Sequence, residues 1–216
     1  MHAIDRKIVG TYGQIQEVSQ NHKLPNSIYH YQEDDGRFRN DVVWPVYRME
    51  PDAKLTDLIR NIPLGVSLMI SEKSLRYFET LRLPQYQIFP LNFVHNADQH
   101  SNYFAFSIVK NKEFFDFISW TESRFYKTSN FHKELIEEFI LNSVEEFFDY
   151  KKVVELSGYG FWPKLKLKFN KNYDLINFGQ LPFPTGYFCG EKLKRGIEES
   201  GLTGYAFKEY PNDFFS

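Results

Sequence analysis

The sequence predicts an α+β fold: a mostly antiparallel or mixed sheet with a few short helices. Short apolar runs rich in β-branched and aromatic residues recur between polar turns, which is typical of strands. In addition, a phrase of strand, helix and strand type occurs twice, 119 residues apart: "SEKSLRYFETLRLPQYQIFP" (Ser71–Pro90) and "GEKLKRGIEESGLTGYAFKEYP" (Gly190–Pro211). We therefore expect two similar strand-helix-strand units within the fold.

The first sixty residues alternate apolar runs with polar turns, which indicates strands. Asp35-Gly36 is a turn pair between two such runs. Pro45 has no backbone N–H to donate, so its segment is predicted at a sheet edge or at a bulge. In "PDAKLTDLIRN" (51–61), three apolar residues have helical spacing, and the segment is predicted to form a short helix at most.

The first copy of the repeated unit begins with "GVSLMI" (65–70), an apolar run of buried-strand type. Ser71 is a suitable N-cap, so a helix is predicted to start there, with Leu75 and Phe78 on its inner face. Pro84 then ends the helical stretch, and "YQIFPLNF" is predicted to be a strand.

The second copy has the same order of elements. "TGYFC" is a strand that leads to Gly190, and Leu193 and Ile197 form the inner face of a helix. Gly201 stands where a left-handed helix C-cap is expected, and "TGYAFKEY" resumes extended structure.

Between the two copies, "NYFAFSIV" is predicted to be a strand, and the aromatic-rich "KEFFDFISWTESRFY" a strand followed by an irregular stretch. Residues 134–156 fit either one long helix or two elements. We prefer two, because Ser143 and Glu146 form a capping box before a helix that starts at Val144, which leaves "LIEEFIL" as a strand. "KLKLKF" (164–169) alternates strictly and is a strand whose lysines face water or a partner.

The totals constrain organisation and location. A chain of 216 residues forms a single α+β domain (1–216) or two interdependent lobes of about 1–150 and 151–216. The single cysteine excludes an internal disulfide. Neither a secretion signal nor a membrane-spanning apolar run is present in the sequence, so we expect a cytoplasmic protein. Its net charge of −2 provides no global attraction for nucleic acid or an anionic membrane.

No motif in the sequence predicts catalysis or a cofactor. His95 and His100 lie in a polar, turn-like "HNADQH", which favours a hairpin loop over a metal site. Cys189 stands at a helix start, where a dipole can lower a thiol pKa, but it belongs to an apolar run and no histidine is marked as its base. The glycine patterns lack the spacing of a phosphate loop. We therefore expect neither an enzyme nor a cofactor.

The aromatic content of "KEFFDFISWTESRFY" leaves two alternatives. Six aromatic residues in fifteen exceed what the inner face of one strand uses, so some of them form a protein-binding patch, or both sides are covered by layers of the fold.

Several phrases resemble the immunity proteins of bacterial polymorphic toxin systems, specifically a class catalogued as a domain of unknown function. The phrases are "AKLTDLI", "GVSLMISEKSLRYFETLRLPQYQIFPLNF", "NYFAFSIV", "FISWTESRFY" and "FCGEKLKRGIEESGLTGYAFKEYP", which extend from Lys54 to Pro211 in most of that range. The sequence departs from the class where Gly190 replaces the serine expected before the second "EK", and the first fifty residues match poorly.

The resemblance implies a small cytoplasmic α+β protein that binds the effector domain of a cognate toxin and blocks it by stoichiometric occlusion. Anchor residues for such binding are predicted at Trp120, Arg124, Phe125 and Tyr126. The partner is then the toxin, with no nucleic acid and no membrane. The alternatives are an enzyme of unknown class and a peptide- or ligand-binding module.

Overall fold

The computed structural model describes residues 1–6, 15–17, 23–28, 37–61, 67–128, 135–156, 166–178 and 186–210, which form an α+β fold. The strands are β1 (His2–Arg6), β2 (Ile15–Glu17), β3 (Tyr47–Met49), β4 (Leu58–Asn61), β5 (Ser67–Ser71), β6 (Tyr86–His95), β7 (Asp98–Ile108), β8 (Phe125–Thr128), β9 (Leu135–Phe139), β10 (Leu175–Asn177), β11 (Tyr187–Cys189) and β12 (Tyr205–Glu209). The helices are α1 (Glu72–Phe78), α2 (Lys112–Phe115), α3 (Val144–Leu156) and α4 (Glu191–Glu199). Within these ranges, no helix has the length and apolar character needed to cross a membrane.

The described strands form three sheets. The largest has the order β2-β3-β6-β7-β5-β4, the second has the order β10-β11-β1-β12, and β8 pairs with β9 in a two-stranded ribbon. Nearly all neighbours are antiparallel; β3 and β6 are parallel. The largest sheet is therefore mixed and the other two are antiparallel, as the sequence predicts.

The two predicted strand-helix-strand units are both present and have the same topology. β5 and β6 flank β7, and β11 and β12 flank β1. Both flanking strands are antiparallel to the central strand, which is β7 in the first unit and β1 in the second. The two strands of each unit are therefore parallel to each other and are separated by this central strand. Helix α4 begins 119 residues after α1, and β12 begins 119 residues after β6. The sequence offset thus reproduces the positions at which the helix and the following strand of each unit begin.

The correspondence extends to the strand outside each unit. β4 pairs with β5 as β10 pairs with β11. Asp57, just before β4, accepts a hydrogen bond from the backbone amide of Thr203 at 2.9 Å. Asp174, just before β10, accepts one from the backbone amide of Arg82 at 2.8 Å. Each aspartate therefore binds the segment that follows the helix of the opposite unit.

Local signals for the two helices are confirmed. Ser71 caps α1 by accepting a hydrogen bond from the Ser74 amide at 3.2 Å, and Leu75 and Phe78 are buried. In α4, the buried residues are Leu193 and Ile197. Gly201 has a φ of 62°, the left-handed conformation that favours glycine after a helix.

The helix predicted within residues 51–61 is wrong, because this segment contains strand β4. Leu58 and Ile59 are both fully buried, but they belong to different core clusters. Successive residues of a strand point to opposite faces, so a strand between two apolar layers buries both. The six-stranded sheet is covered on its two faces in this region, and that environment overrides the helical spacing.

The strand predicted at the start of "KEFFDFISW" is also wrong. Helix α2 begins there, because the side chain of Asn111 accepts a hydrogen bond from the Phe114 amide at 3.0 Å and caps the first turn. Phe114, Phe115 and Phe117 are all buried. Most of the aromatic surplus of this segment therefore lies in the core.

Four further expectations concern Pro45, the domain boundary, the Asp35-Gly36 turn and the "KLKLKF" strand. Pro45 precedes β3, which lies between β2 and β6, so the proline stands outside the strand and removes no hydrogen bond from it. β1 is formed by residues 2–6 but lies in the same sheet as β10, β11 and β12. A domain boundary near residue 150 therefore would not separate the sheets. The number of domains stays a prediction. The Asp35-Gly36 turn and residues 164–165 of the predicted "KLKLKF" strand lie outside the described residues.

Candidate protein-binding surface

The β8–β9 ribbon and helix α3 contain or adjoin all four predicted anchor residues. The register pairs Phe125 with Phe139 and Tyr126 with Glu138. Since side chains alternate along a strand, Phe125 faces one side of the ribbon and Tyr126 the other. The four residues therefore do not form a single surface.

The inner side of the ribbon is an aromatic cluster that belongs to the core. Phe125 stacks on Trp120 at 5.7 Å between ring centroids and lies 6.0 Å from Phe147 of α3. Phe139 packs against Tyr150 of α3 at 4.3 Å. Phe125 has no exposed surface, so it stabilises the ribbon from behind and offers no surface to a partner; Trp120 is half-buried.

A network of polar contacts fixes the turn that carries Trp120. The hydroxyl of Ser123 donates to the carbonyl of Ser119 at 2.6 Å and accepts from the amide of Lys168 at 3.1 Å. Ser119 donates to Glu122, whose pKa is lowered by this hydrogen bond and then by the charge of Lys168. Ser123 is fully buried. The "SWTES" sequence is thus explained by turn structure.

The outer side of the ribbon carries the polar anchor candidates. The Nε of Arg124 lies 3.6 Å from Oε1 of Glu138, and both side chains are partly exposed. Tyr126 is only 8% exposed, and its pKa is raised by burial and then by Glu138. Arg124 and Trp120 are therefore the two predicted residues that remain partly exposed after folding, and binding by any of the four stays a prediction.

Exposed apolar residues beside the ribbon form the feature that sequence reasoning missed. Among the described residues, large hydrophobic side chains are exposed at five positions, and three of them are Ile136 (49%), Ile140 (47%) and Val153 (63%). Ile136 lies within β9 at the register shift between Leu135 and Glu137, Ile140 directly follows β9, and Val153 lies on α3. We call Ile136, Ile140, Val153 and the carboxylates between them the β9–α3 surface.

Tyr150 of α3 lies next to β9. Besides the Phe139–Tyr150 ring contact, Glu137 lies close enough to Tyr150 that its charge, after burial, raises the phenol pKa. Val153 is one helical turn after Tyr150, so these residues are neighbours on the helix surface. Strand alternation places Phe139 and Ile140 on opposite sides of β9, so Ile140 lies on the outer side of the ribbon with Glu138, whereas Val153 lies on α3.

Helix α3 begins where the divided interpretation of residues 134–156 places it. Ser143 accepts a hydrogen bond from the Glu146 amide at 3.2 Å. The Glu146 carboxylate returns to the amide of Asn142 at 2.6 Å, one residue before the position that a reciprocal capping box uses. If residues 134–156 formed one long helix, Ile136 and Ile140 would lie on its buried face. The sequence alone therefore gives no clear signal that these two side chains are exposed.

The other candidate residues have structural explanations. His95 and His100 lie on either side of the β6–β7 hairpin turn, as predicted, and His100 stacks on Phe93 at 5.0 Å. Cys189 is fully buried in β11, and burial raises the pKa of its thiol to about 12. Lys166 and Lys168 are exposed on either side of buried Leu167, as the alternation predicts. The predicted strand is not present in the described residues 166–169, which form only isolated bridges to Arg124 and Ile118. In the parts of the chain that are described, no three His, Cys, Asp or Glu side chains are arranged to hold a metal.

A pocket lies between residues 40–46 and strand β6. Its volume is about 270 Å³, and it is lined by aromatic, proline and amide side chains: Asn40, Val42, Trp44, Pro45, Val46, Phe89, Pro90 and Asn92. Pockets that enclose small molecules are typically about 300–1,000 Å³. This one falls below that range.

No protein-family model matches this chain, and no curated protein is similar enough to be counted as a relative.

Proposed function

We propose that this chain is an immunity protein, which binds the effector domain of a cognate bacterial toxin in the cytoplasm and inhibits it by stoichiometric occlusion. The observation that carries the proposal is the exposure of Ile136, Ile140 and Val153 beside a ribbon stabilised by aromatic packing. The resemblance to immunity proteins in the phrases from Lys54 to Pro211 supports the same function.

Physical chemistry favours a binding role for this surface. Each exposed isoleucine or valine costs about 1–2 kcal/mol relative to burial, so a partner that covers these residues gains affinity. Binding energy concentrates in a few well-supported residues at the centre of an interface. The Phe125–Trp120–Phe147 packing behind the ribbon supplies such support, because it limits the conformational entropy lost on binding.

Occlusion needs no reactive group on the inhibitor. The proposal therefore requires only that the surface and the toxin be complementary, and Arg124 with its Glu138 partner would lie at the edge of the contact. The protein would act by binding rather than by catalysis.

The pocket beside Trp44 and Phe89 favours a second candidate, a module that binds a small planar ligand between aromatic rings and the amides of Asn40 and Asn92. Its small volume makes this the weaker alternative. Trp44 fluorescence during titration with a library of small metabolites would test it, and an unchanged emission would remove it.

Affinity capture from the native host, with a tagged copy of this chain, tests the main proposal. The expected result is a near one-to-one complex with a toxin fragment, identified by mass spectrometry, whose activity is lost on titration with this protein. Ile136→Ser/Ile140→Ser is then expected to weaken the purified complex by at least about tenfold. Leu55→Ser is the matched control, because Leu55 is 41% exposed and lies outside the surface. The proposal is wrong if no toxin fragment is captured from cells that express the genes adjacent to the gene for this protein.

A further inference from the structure

The pocket between residues 40–46 and strand β6 is a gap between two chain segments that are joined at both of its ends. At one end, the side chain of Gln87 accepts a hydrogen bond from the backbone amide of Phe38 and donates one to its carbonyl, each at 2.8 Å. At the other end, Tyr47 of β3 pairs with Phe93 of β6. Residues 87–93 of a strand span about 20 Å, so the gap is long enough for several residues of a ligand chain.

The aromatic wall of the pocket is supported from behind. The Trp44 ring lies 5.5 Å from the ring of Phe38 and 5.5 Å from that of Phe89, measured between centroids. Phe38 and Phe89 are both buried, whereas Trp44 is half-buried. Trp44 therefore rests on two buried rings and lines the pocket together with Pro45 and Pro90. A surface that is fixed before binding loses little conformational entropy when a partner covers it.

Two amide side chains are the polar groups of the pocket. Asn40 and Asn92 lie on the two different segments that form its walls, and both are exposed. Neither side chain makes a hydrogen bond to another described residue. Among the described residues that line the pocket, none is ionisable, and the neighbouring Arg39 and Asp41 neutralise each other through hydrogen bonds of 2.9 and 2.8 Å. The pocket therefore offers ring faces and amide groups without a net charge.

We infer that this pocket binds a proline-rich segment of a protein partner in the extended polyproline II conformation. Proline has no backbone N–H, so such a segment needs apolar rings and hydrogen-bond donors from its site but few acceptors. Its carbonyls make no internal hydrogen bonds in this conformation and can accept from the amides of Asn40 and Asn92. Grooves that recognise proline-rich segments are lined by aromatic side chains, as this one is. The pocket is separate from the β9–α3 surface, so the inference is independent of toxin inhibition.

The size of the pocket favours a chain segment over an enclosed small molecule. Its volume of about 270 Å³ lies below the range of about 300–1,000 Å³ that is typical of pockets that enclose a ligand. A partner segment has to place only one or two pyrrolidine rings in the pocket, because the rest of its chain continues past the exposed Pro90 and Asn92. Each residue of polyproline II advances about 3.1 Å, so about six residues span the gap of about 20 Å.

The test uses a fluorescently labelled oligoproline peptide of about six residues as the probe. Its counterpart has alanine in place of every second proline. Fluorescence anisotropy measures the dissociation constant of each peptide for the full chain. The variant Asn40→Ala/Asn92→Ala removes both amides from exposed positions of the pocket. Gln99→Ala/Asn102→Ala removes two amides from exposed positions on β7 and is the matched control.

The expected result is saturable binding of oligoproline that is about tenfold weaker for Asn40→Ala/Asn92→Ala and unchanged for the β7 control. The alanine-containing peptide should bind at least about fivefold more weakly, because it is less preorganised. Thermal unfolding of each variant verifies that all remain folded. The inference is wrong if neither peptide binds, if both bind equally, or if the two variants weaken binding to the same extent. None of these outcomes bears on toxin inhibition, which the capture experiment tests separately.

Discussion

Tyr77 of α1 lies against Gly196 of α4, the residue at the equivalent position of the second unit 119 residues later. A side chain at position 196 would overlap the Tyr77 phenol, so glycine admits the ring. The contact joins two units whose outer aspartates bind each other's post-helix segments. Contacts between equivalent positions and reciprocal hydrogen bonds are what an approximate two-fold arrangement produces.

Replacement of Gly204 by alanine is expected to destabilise the protein by about 3 kcal/mol, from left-handed backbone strain and steric overlap. Gly204 has a φ of 85°, and an added Cβ would meet the Leu58 carbonyl and the Thr56 side chain. Gly201→Ala is the control, because Gly201 has a φ of 62° but open space around it, and should cost about 1 kcal/mol. Urea unfolding measures the free energy of unfolding of both variants. Equal losses of stability would show that steric overlap with the Leu58 carbonyl of β4 does not add to the cost of Gly204→Ala.

Asp57→Ala is expected to cost about 2–4 kcal/mol, because three hydrogen bonds lose their acceptor. The Asp57 carboxylate accepts from the Ser71 hydroxyl at 2.7 Å and from both the amide and the hydroxyl of Thr203 at 2.9 Å. Asp174→Ala, at the corresponding place, should cost less, since its partners are one Arg82 amide and the exposed Lys192 amine. Chemical denaturation measures the loss of unfolding free energy in each variant. A larger loss for Asp174→Ala than for Asp57→Ala would contradict this prediction.

Lys110→Met is expected to stabilise the protein by about 2 kcal/mol at pH 7, because it removes a buried charge. Lys110 is 8% exposed, and burial lowers its pKa to about 8. Below pH 8 the amine is charged in both states, so the penalty is complete. Above pH 8 the folded state releases its proton first, so wild-type stability rises.

The difference between Lys110→Met and wild type should therefore shrink by about 1 kcal/mol between pH 7 and pH 9. Unfolding curves at pH 7, 8 and 9 measure this difference. Higher pH is avoided because the pKa of Tyr103 is raised to about 12 by burial, so tyrosine ionisation would then favour the unfolded state. A constant difference across this range would show that Lys110 keeps its charge.

Phe125→Ala is expected to lower stability, whereas Ile140→Ser is expected to weaken toxin binding with little change in stability. Phe125 is fully buried, so its truncation should cost about 3–5 kcal/mol. Ile140 is 47% exposed, so Ile140→Ser should change stability by no more than about 0.5 kcal/mol while weakening toxin binding. Differential scanning calorimetry provides the stability comparison, and a large loss of Tm for Ile140→Ser would place that residue in the core.

Local signals account for the parts of the fold that the sequence predicts well. The Ser71 cap, the apolar faces of α1 and α4, and the split between β9 and α3 each depend on residues within one or two turns of each other. Periodicity says less about the surroundings of the predicted anchors. Trp120 and Phe125 both contact Phe147 of α3, and these ring contacts join residues that are more than twenty positions apart in the chain.

The sequence by itself determined the α+β class, the two strand-helix-strand units and their spacing, since hydrophobic periodicity, caps and turns act over a few residues. Only the tertiary structure decided that β1 completes the second unit, that β4 is a strand, and that Ile136, Ile140 and Val153 remain exposed. Strand pairing satisfies backbone hydrogen bonds between residues far apart in the chain, and burial depends on which elements cover a face. Both are properties of the assembled fold.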